Sequence, residues 1–289
     1  MHQYRLEKIT KTFGRHHVAV GGIDLEVKRG ERVALIGPSG AGKTTLFRML
    51  NCTLRPTSGR LWINGDEISE LHGNRLRAVR RKIGTIYQQH NLVPRLRVIH
   101  NVLSGRLGGW STVRSLASLL RPVDVELAHG ALRQVGIAEK IFTRTDELSG
   151  GQQQRVAIAR VLIQDPEVIL ADEPVSSVDP SLASAIVKLL IDISRDTGKT
   201  LLVNLHSVGL ALESFSRVIG IKNGIALFDL PPQEITDALL EDLYSGHLLF
   251  QVDLDGVRAR GVKLRPVAVE HDDTIAELAH LLDAHVRER

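Results

Sequence analysis

A glycine-rich run over residues 37–45 has the spacing G-x-x-x-x-G-K-[ST], typical of loops that cradle the phosphates of ATP or GTP. Apolar residues 33–36 before it predict a buried strand, and residues 46–50 after it predict a helix. We expect Lys43 to reach the β- and γ-phosphates and the Thr44 hydroxyl to ligate Mg²⁺. The predicted phosphate-binding residues are Gly37, Pro38, Ser39, Gly40, Ala41, Gly42, Lys43, Thr44 and Thr45.

A second apolar run, residues 168–171, ends in the two acids Asp172 and Glu173. Alone it would indicate only a solvated acidic turn. Next to a phosphate loop, Asp172 is expected to hold the Mg²⁺ shell, and Glu173 to polarise an attacking water, a role that changes rates by roughly 10²–10⁴. We expect this strand to lie beside the strand that precedes the phosphate loop.

The run Leu148–Gln152 predicts a second anion site at the start of a helix. Ser149 offers a hydroxyl, Gly150 and Gly151 offer bare N–H groups, and the helix dipole adds positive charge, with Gln152 completing the motif. One chain cannot easily aim both sites at one triphosphate, because each lies on its own helix. The sequence therefore predicts a head-to-tail homodimer with two ATP molecules at its seam.

Short apolar runs separated by turn residues predict an α/β fold around these motifs. Helical spacing dominates residues 90–163, and Asp179 before Pro180 predicts the start of another helix. Asn64-Gly65 and Asn223-Gly224 predict hairpin turns. Strands are predicted over residues 4–9, 23–27, 32–36, 61–63, 83–87, 168–171, 201–203, 218–221 and 225–228, and helices over 125–135, 151–162, 180–193 and 235–243.

Residues 247–289 form a stretch of different character. Apolar runs predict strands over 248–252 and 267–269, and an amphipathic helix follows Asp272-Asp273. An apolar helical stripe usually packs against a core, so we favour a packing appendage over a regulatory or partner-binding role.

The composition limits the class of protein. The chain has 289 residues, 43% of them hydrophobic, and a net charge of +4. A single cysteine, Cys52, excludes an internal disulfide, and no stretch approaches the roughly 20 apolar residues of a membrane span. We therefore expect a soluble protein.

These motifs, in this order, resemble an ABC ATPase subunit over residues 4–245. The resemblance implies a P-loop NTPase core: a RecA-like mixed sheet with an antiparallel β subdomain. It implies one ATPase domain over 1–246 with a helical subdomain inserted at about 90–163. The sequence departs from the family past about residue 246, and residues 247–289 are expected to form a small C-terminal extension. It also implies roles for five further residues, in chain order: Phe13 stacks on adenine, Val20 packs nearby, Gln88 senses Mg²⁺ and the membrane partner, Asp179 communicates across the dimer, and His206 acts at the γ-phosphate.

Four segments are similar to the phosphonate/phosphite importer ATPases, namely residues 87–96, 100–108, 203–206 and 228–232. This resemblance implies ATP-driven uptake of reduced-phosphorus oxyanions. Its expected partners are two transmembrane permease subunits and a periplasmic solute-binding protein, with the ATPase bound peripherally at the cytoplasmic face of the inner membrane.

Other functions remain open at this stage. The chain could serve an importer of another small solute, or be a non-transport ABC ATPase of DNA repair or translation. Repair types need a long coiled-coil insertion, and translation types usually carry two cassettes; neither feature is present. An inactive scaffold is disfavoured because Glu173 and His206 are both retained. The basic run 75–82 is interpreted as a solvated helix face rather than a nucleic-acid site.

Overall fold

A computed structural model describes residues 2–14, 16–120, 122–176 and 178–245. The strands form two sheets, one antiparallel and one mostly parallel. In chain order the strands are β1 (His2–Phe13), β2 (His17–Lys28), β3 (Arg32–Ile36), β4 (Ser58–Ile63), β5 (Asp66–Glu67), β6 (Ile83–Ile86), β7 (Val168–Asp172), β8 (Thr200–Asn204), β9 (Arg217–Lys222) and β10 (Ile225–Leu230).

The described α-helices are α1 (Lys43–Leu50), α2 (Gly73–Arg81), α3 (Val98–Leu103), α4 (Thr112–Leu120), α5 (Val125–Gln134), α6 (Gly150–Gln164), α7 (Pro180–Thr197), α8 (Val208–Ser214) and α9 (Asp237–Tyr244). Helices α3 to α6 occupy the region for which the sequence predicted helical structure. None of the described helices has the length and apolar character needed to cross a membrane.

The parallel sheet has the strand order β10-β9-β3-β8-β7-β6. Strand β3, which leads into the phosphate loop, lies between β9 and β8 and is parallel to both. The prediction that the acidic strand β7 adjoins β3 was wrong, because β8 lies between them. Both β7 and β8 are apolar and buried, so composition alone did not reveal their order.

This sheet separates two hydrophobic cores, and alternate residues of β3 show the division. Val33 and Leu35 face a core shared with the antiparallel sheet and α1. Ala34 and Ile36 face a core that includes buried residues of α3, α5, α6 and α7. Burial of both faces explains why β3 is a continuous apolar run. The phosphate loop therefore directly follows a strand that is buried on both faces.

The antiparallel sheet has the strand order β2-β1-β4-β5. Strands β1 and β2 are longer than predicted, since their pairing continues to Phe13 opposite His17 across several register shifts. Phe13 is therefore the last residue of β1. Both predicted hairpins are confirmed, with β4 and β5 joined by Asn64-Gly65 and β9 and β10 joined by Asn223-Gly224. The predictions for residues 247–289 lie outside the described residues.

Candidate functional site

The loop between β3 and α1 depends on glycines at positive φ. The φ angles of Gly37, Gly40 and Gly42 are 148°, 79° and 100°. A Cβ atom at Gly37 would lie 2.1 Å from the carbonyl oxygen of Ile221, and one at Gly42 would lie 2.2 Å from that of Ala19. Both neighbours are backbone atoms that cannot move aside cheaply. Glycine is therefore required here for close packing as well as for backbone conformation.

Lys43 begins α1 and its side chain lies inside the loop. The residue is only 4% exposed, and its Nζ donates hydrogen bonds to the carbonyl oxygens of Gly37 (2.7 Å) and Pro38 (2.9 Å). Burial lowers the pKa of Lys43, while the nearby carboxylates of Glu173 and Asp172 act in the opposite direction. A buried ammonium held only by neutral carbonyls can exchange these partners for phosphate oxygens.

Three oxygen-rich residues meet where the strands β7 and β8 end. The Thr44 hydroxyl lies 3.3 Å from Asp172 Oδ1, and the Asn204 amide donates to the same oxygen at 2.7 Å. Burial raises the pKa of Asp172, and the two hydrogen bonds oppose that rise. Hydroxyl and carboxylate oxygens are the ligands that Mg²⁺ prefers, and Mg²⁺ usually retains several waters beside one or two protein ligands. The donor set at this point fits such an ion.

Glu173 and His206 form a pair beside this group. His206 Nε2 lies 2.7 Å from Glu173 Oε1; the histidine side chain is 44% exposed and the glutamate side chain 16%. The hydrogen bond from His206 is the largest cause that lowers the pKa of Glu173, so the carboxylate is held in its basic, ionised form. Glu173 has a φ of 52°, rare for a side chain of this type. Its backbone N–H donates to the Asn204 carbonyl oxygen at 3.2 Å.

The Ser149 motif starts helix α6 with a capping box. The Ser149 hydroxyl accepts from the Gln152 N–H at 3.3 Å, and the Gln152 side chain accepts from the Ser149 N–H at 3.0 Å. A Cβ at Gly150 would meet open space, whereas one at Gly151 would lie 2.5 Å from the Leu182 side chain. A side chain at position 151 would therefore clash with Leu182, whereas the backbone at Gly150 is open to another molecule. Across the described ranges, no hydrogen bond joins these residues to the phosphate loop.

Asp179 and Gln88 are both exposed and lie outside the strands and helices. Asp179 caps α7 as predicted, with Oδ1 accepting from the Leu182 N–H at 3.0 Å and from the Ser181 hydroxyl at 2.6 Å. The Ser181 hydrogen bond is the largest cause that lowers the Asp179 pKa. Gln88 is exposed in the turn after β6. Within the described part of the chain, no hydrogen bond links Gln88 to Thr44 or Asp172.

Phe13 and Val20 have opposite environments. Phe13 is 40% exposed, with Lys11 Nζ 5.3 Å from its ring centroid and the His17 ring stacked 6.4 Å away. The ring is therefore partly open to solvent, with Lys11 and His17 as its neighbours. Val20 is 0% exposed and belongs to the core beneath the loop, so its side chain cannot touch a bound base. Val18, which the sequence reasoning passed over, is 50% exposed on the same strand.

The fold and this site define a phosphate-loop ATPase cassette, in which a mixed sheet carries the loop, the acids and the histidine at one edge. The chain belongs to the ABC transporter family, whose family model, described as "ABC transporter", matches residues 20–176. Solved cassettes share this fold. A dimeric structure of MJ0796, a bacterial ABC transporter cassette, has a TM-score of 0.70 and 32% identity, covering 80% of this chain and 100% of that one. Another, bound to ADP and Pi, has a TM-score of 0.67 and 31% identity, with the same coverage of both chains.

Two relatives with similar sequences are named as phosphonate import ATP-binding proteins. The chain is 49% identical to the phosphonates import ATP-binding protein PhnC 2 of Pseudomonas aeruginosa (strain UCBPP-PA14), over 80% of this chain and 86% of the relative. It is 46% identical to PhnC 1 of Oceanobacillus iheyensis, over 81% and 90% of the two chains. These matches confirm the prediction of an ABC ATPase subunit that is similar to the phosphonate importer ATPases. As a member of this family the chain is an ATPase subunit that binds nucleotide.

Sequence reasoning missed one residue that contacts both acids. Asn204 was noted only as part of a run that resembles the importer ATPases. In the structure it lies opposite Asp172 across the β7–β8 pairing and is completely buried. The available signal was a strongly polar side chain at the end of an otherwise apolar strand, a position where β propensity disfavours asparagine.

Proposed function

We propose that this protein is the ATP-hydrolysing subunit of an importer that takes up phosphonate- or phosphite-type oxyanions. The observation that carries the proposal is identity of 41–49% to phosphonate import ATP-binding proteins over at least 80% of the chain, in a molecule that keeps the loop lysine and the Glu173–His206 pair together. Reduced-phosphorus anions are charged, so they require a pathway and an energy source to accumulate in a cell.

In the proposed site, each chain residue has a separate task. Lys43 and the loop N–H groups bind the phosphate tail, and Phe13 stacks on the base, with Val18 rather than the buried Val20 facing the ligand. Thr44 and Asp172 would hold Mg²⁺, which neutralises charge on the phosphates. Gln88, exposed in the turn after β6, would sense the same ion.

Glu173 is proposed to orient and deprotonate the attacking water. Its carboxylate is ionised and fixed in place by His206, whose exposed ring would act at the γ-phosphate. The pair lines a cleft of about 620 Å³ that extends to the first turns of α7 and α8, next to Asp179. The cleft leaves room for a second surface to close over the reacting phosphate.

That second surface is proposed to be a twin subunit. Ser149 and Gly150 present an exposed helix start, and among the residues that the structure describes no hydrogen bond joins them to the phosphate loop of their own chain. The Ser149 hydroxyl accepts a hydrogen bond in its cap and still has a proton to donate to a phosphate oxygen. Two chains head to tail would let each Ser149 motif complete the partner's site. The MJ0796 cassette, which was solved as a dimer, supports this arrangement by analogy.

The membrane partner is proposed to dock on an arginine-rich cleft of about 790 Å³ beside Tyr87. Of the described residues, none that lines this cleft is acidic; Arg80 and Arg160 donate to backbone carbonyls, and Arg114 pairs with Asp124. Its six arginines are Arg77, Arg80, Arg81, Arg106, Arg114 and Arg160. Such a surface favours an acidic segment of the permease subunits. The ATPase would thus lie peripherally on the cytoplasmic face of the membrane, in a system with a periplasmic binding protein.

The same proposal includes the boundaries of the domains. Residues 1–246 would form the ATPase domain, with the helical subdomain inserted at about 90–163. Residues 247–289 would be a C-terminal extension. The helices α3 to α6 and their packing against one core support the placement of the inserted subdomain.

Gene deletion tests the proposal directly. Cells that lack this gene should fail to grow with a phosphonate or phosphite as the sole phosphorus source, and should grow normally on inorganic phosphate. The wild-type gene should restore growth, and the cleft variant Arg81→Glu should not, whereas Arg133→Glu on the exposed face of α5 serves as the matched control. Normal growth of the deletion strain on both phosphorus sources, with no second system present, would refute the substrate class.

A further inference from the structure

Asn204 contacts both acids of the site through different atoms. Its Nδ2 donates to Asp172 Oδ1 at 2.7 Å, and its backbone carbonyl accepts from the Glu173 N–H at 3.2 Å. The register of the parallel pair β7–β8 places Asn204 directly opposite Asp172. One residue thus fixes the direction of the first carboxylate and the backbone that carries the second.

The remaining atom of this side chain has no partner. Asn204 is 0% exposed, and its Oδ1 is buried without a hydrogen bond among the described residues. The amide cannot be reversed, because a carboxylate only accepts hydrogen bonds and must therefore face the NH₂ group. Buried acceptors in native proteins are rarely left unsatisfied, and a water or ion commonly supplies the missing group.

The location indicates what that group is. Asp172 Oδ1 also lies 3.3 Å from the Thr44 hydroxyl, so Asn204 extends the Thr44–Asp172 pair that fits Mg²⁺. Mg²⁺ in such sites keeps several waters, and waters bound to a cation are strong donors that need acceptors close by. Asn204 Oδ1 is a buried acceptor one hydrogen bond away from the proposed ligand.

We propose that Asn204 is a positioning residue that aligns Asp172 and Glu173 and whose Oδ1 accepts a hydrogen bond from a water of the metal site. This inference rests on the ATP hydrolysis proposed above. A leucine or valine would continue the apolar pattern of β8 at this position, so the buried amide is a local exception. Exceptions of this kind are found where a site requires them.

The test measures how strongly Mg²⁺ improves nucleotide binding by the full chain. ATP affinity is determined with Mg²⁺ and with a chelator, and hydrolysis is followed as Mg²⁺ is titrated. In Asn204→Leu, which has nearly the same shape, we expect the Mg²⁺-dependent gain in ATP affinity to fall at least tenfold. The Mg²⁺ concentration for half-maximal hydrolysis should rise at least tenfold, while ATP affinity without Mg²⁺ stays within twofold.

Two further variants separate this role from packing. Asn204→Thr retains a hydroxyl that can donate to Asp172, so it should recover part of the Mg²⁺ effect. Leu202→Val removes a buried methylene from the same strand and should leave the Mg²⁺ dependence unchanged. If Asn204→Leu does not fold, Asn204→Thr decides, with an expected threefold or larger rise in the Mg²⁺ requirement.

The outcomes also distinguish this inference from the proposed function. A wild-type Mg²⁺ dependence in both Asn204 variants would overturn the positioning role while leaving the ATPase intact. Wild-type protein without any Mg²⁺-dependent hydrolysis would instead contradict the proposed function itself. Loss of turnover in Asn204→Leu with an unchanged Mg²⁺ dependence would also overturn the assignment, since it would show a structural effect unrelated to the metal.

Discussion

Replacement of Glu173 by glutamine is the sharpest test of the proposed hydrolysis. The change keeps the shape of the side chain and removes its charge and basicity. The contact with His206 at 2.7 Å can persist, because the glutamine carbonyl still accepts a hydrogen bond. Any loss of turnover therefore reports the missing base rather than a collapsed site.

The expected magnitude follows from the environment of the carboxylate. A positioned general base contributes roughly 10²–10⁴ in rate, which is about 3–5 kcal/mol at roughly 1.4 kcal/mol per tenfold. Glu173 is only 16% exposed, and His206 lowers its pKa, so the whole population is in the basic form at neutral pH. We therefore expect turnover to fall by about 10³. ATP binding should not weaken, because the change removes a negative charge near the phosphates.

The assay measures phosphate release and the oligomeric state in the presence of ATP and Mg²⁺. The variant should accumulate as an ATP-bound dimer, while the wild type returns to monomer after hydrolysis. Glu167→Gln is the matched control, because Glu167 lies just before the opposite end of β7 and pairs with Lys82 at 3.0 Å. Unchanged turnover in Glu173→Gln would remove Glu173 from the catalytic role.

Two other predictions concern the dimer and the dependence on pH. Ser149→Arg should leave ATP binding by the monomer within about twofold and block ATP-dependent dimerisation, as measured by light scattering; a dimer that still forms with ATP would contradict the cross-chain site. His206→Ala should lower thermal stability at neutral pH and not in acid. The lowered pKa of Glu173 stabilises the fold above the unfolded value near 4.3, and this contribution is lost as the pH falls through the folded pKa. Melting temperatures of wild type and variant should therefore converge as the pH falls below the unfolded value, and a constant difference would show that the pair does not act through ionisation.

Short-range features of this chain were open to prediction because neighbours in sequence determine them. The hairpin turns at Asn64-Gly65 and Asn223-Gly224 need backbone conformations that these residues adopt easily. The start of α7 needs only the Asp179 side chain and the next few N–H groups. Each of these depends on a few consecutive residues, so the sequence pattern was sufficient.

Strand order and side-chain burial could not be obtained in the same way. The β7 and β8 runs are both buried and apolar, and their order depends on how the connecting helices pack. Likewise, Val18 and Val20 are the same residue type two positions apart, yet one is half exposed and the other fully buried. The arginine cleft gathers residues from 77 to 160, a separation that no local pattern spans.

By itself the sequence determined the phosphate loop, the acidic strand and the capped helix at Ser149, because each is a contiguous run whose chemistry lies in adjacent residues. Only the tertiary structure decided that Glu173 pairs with His206 and that Asn204 holds Asp172, since these contacts join residues more than thirty positions apart. The physical reason is that parallel strands end at a common edge. Strand order and register determine which of their last side chains meet there. No single segment of the sequence determines either of them.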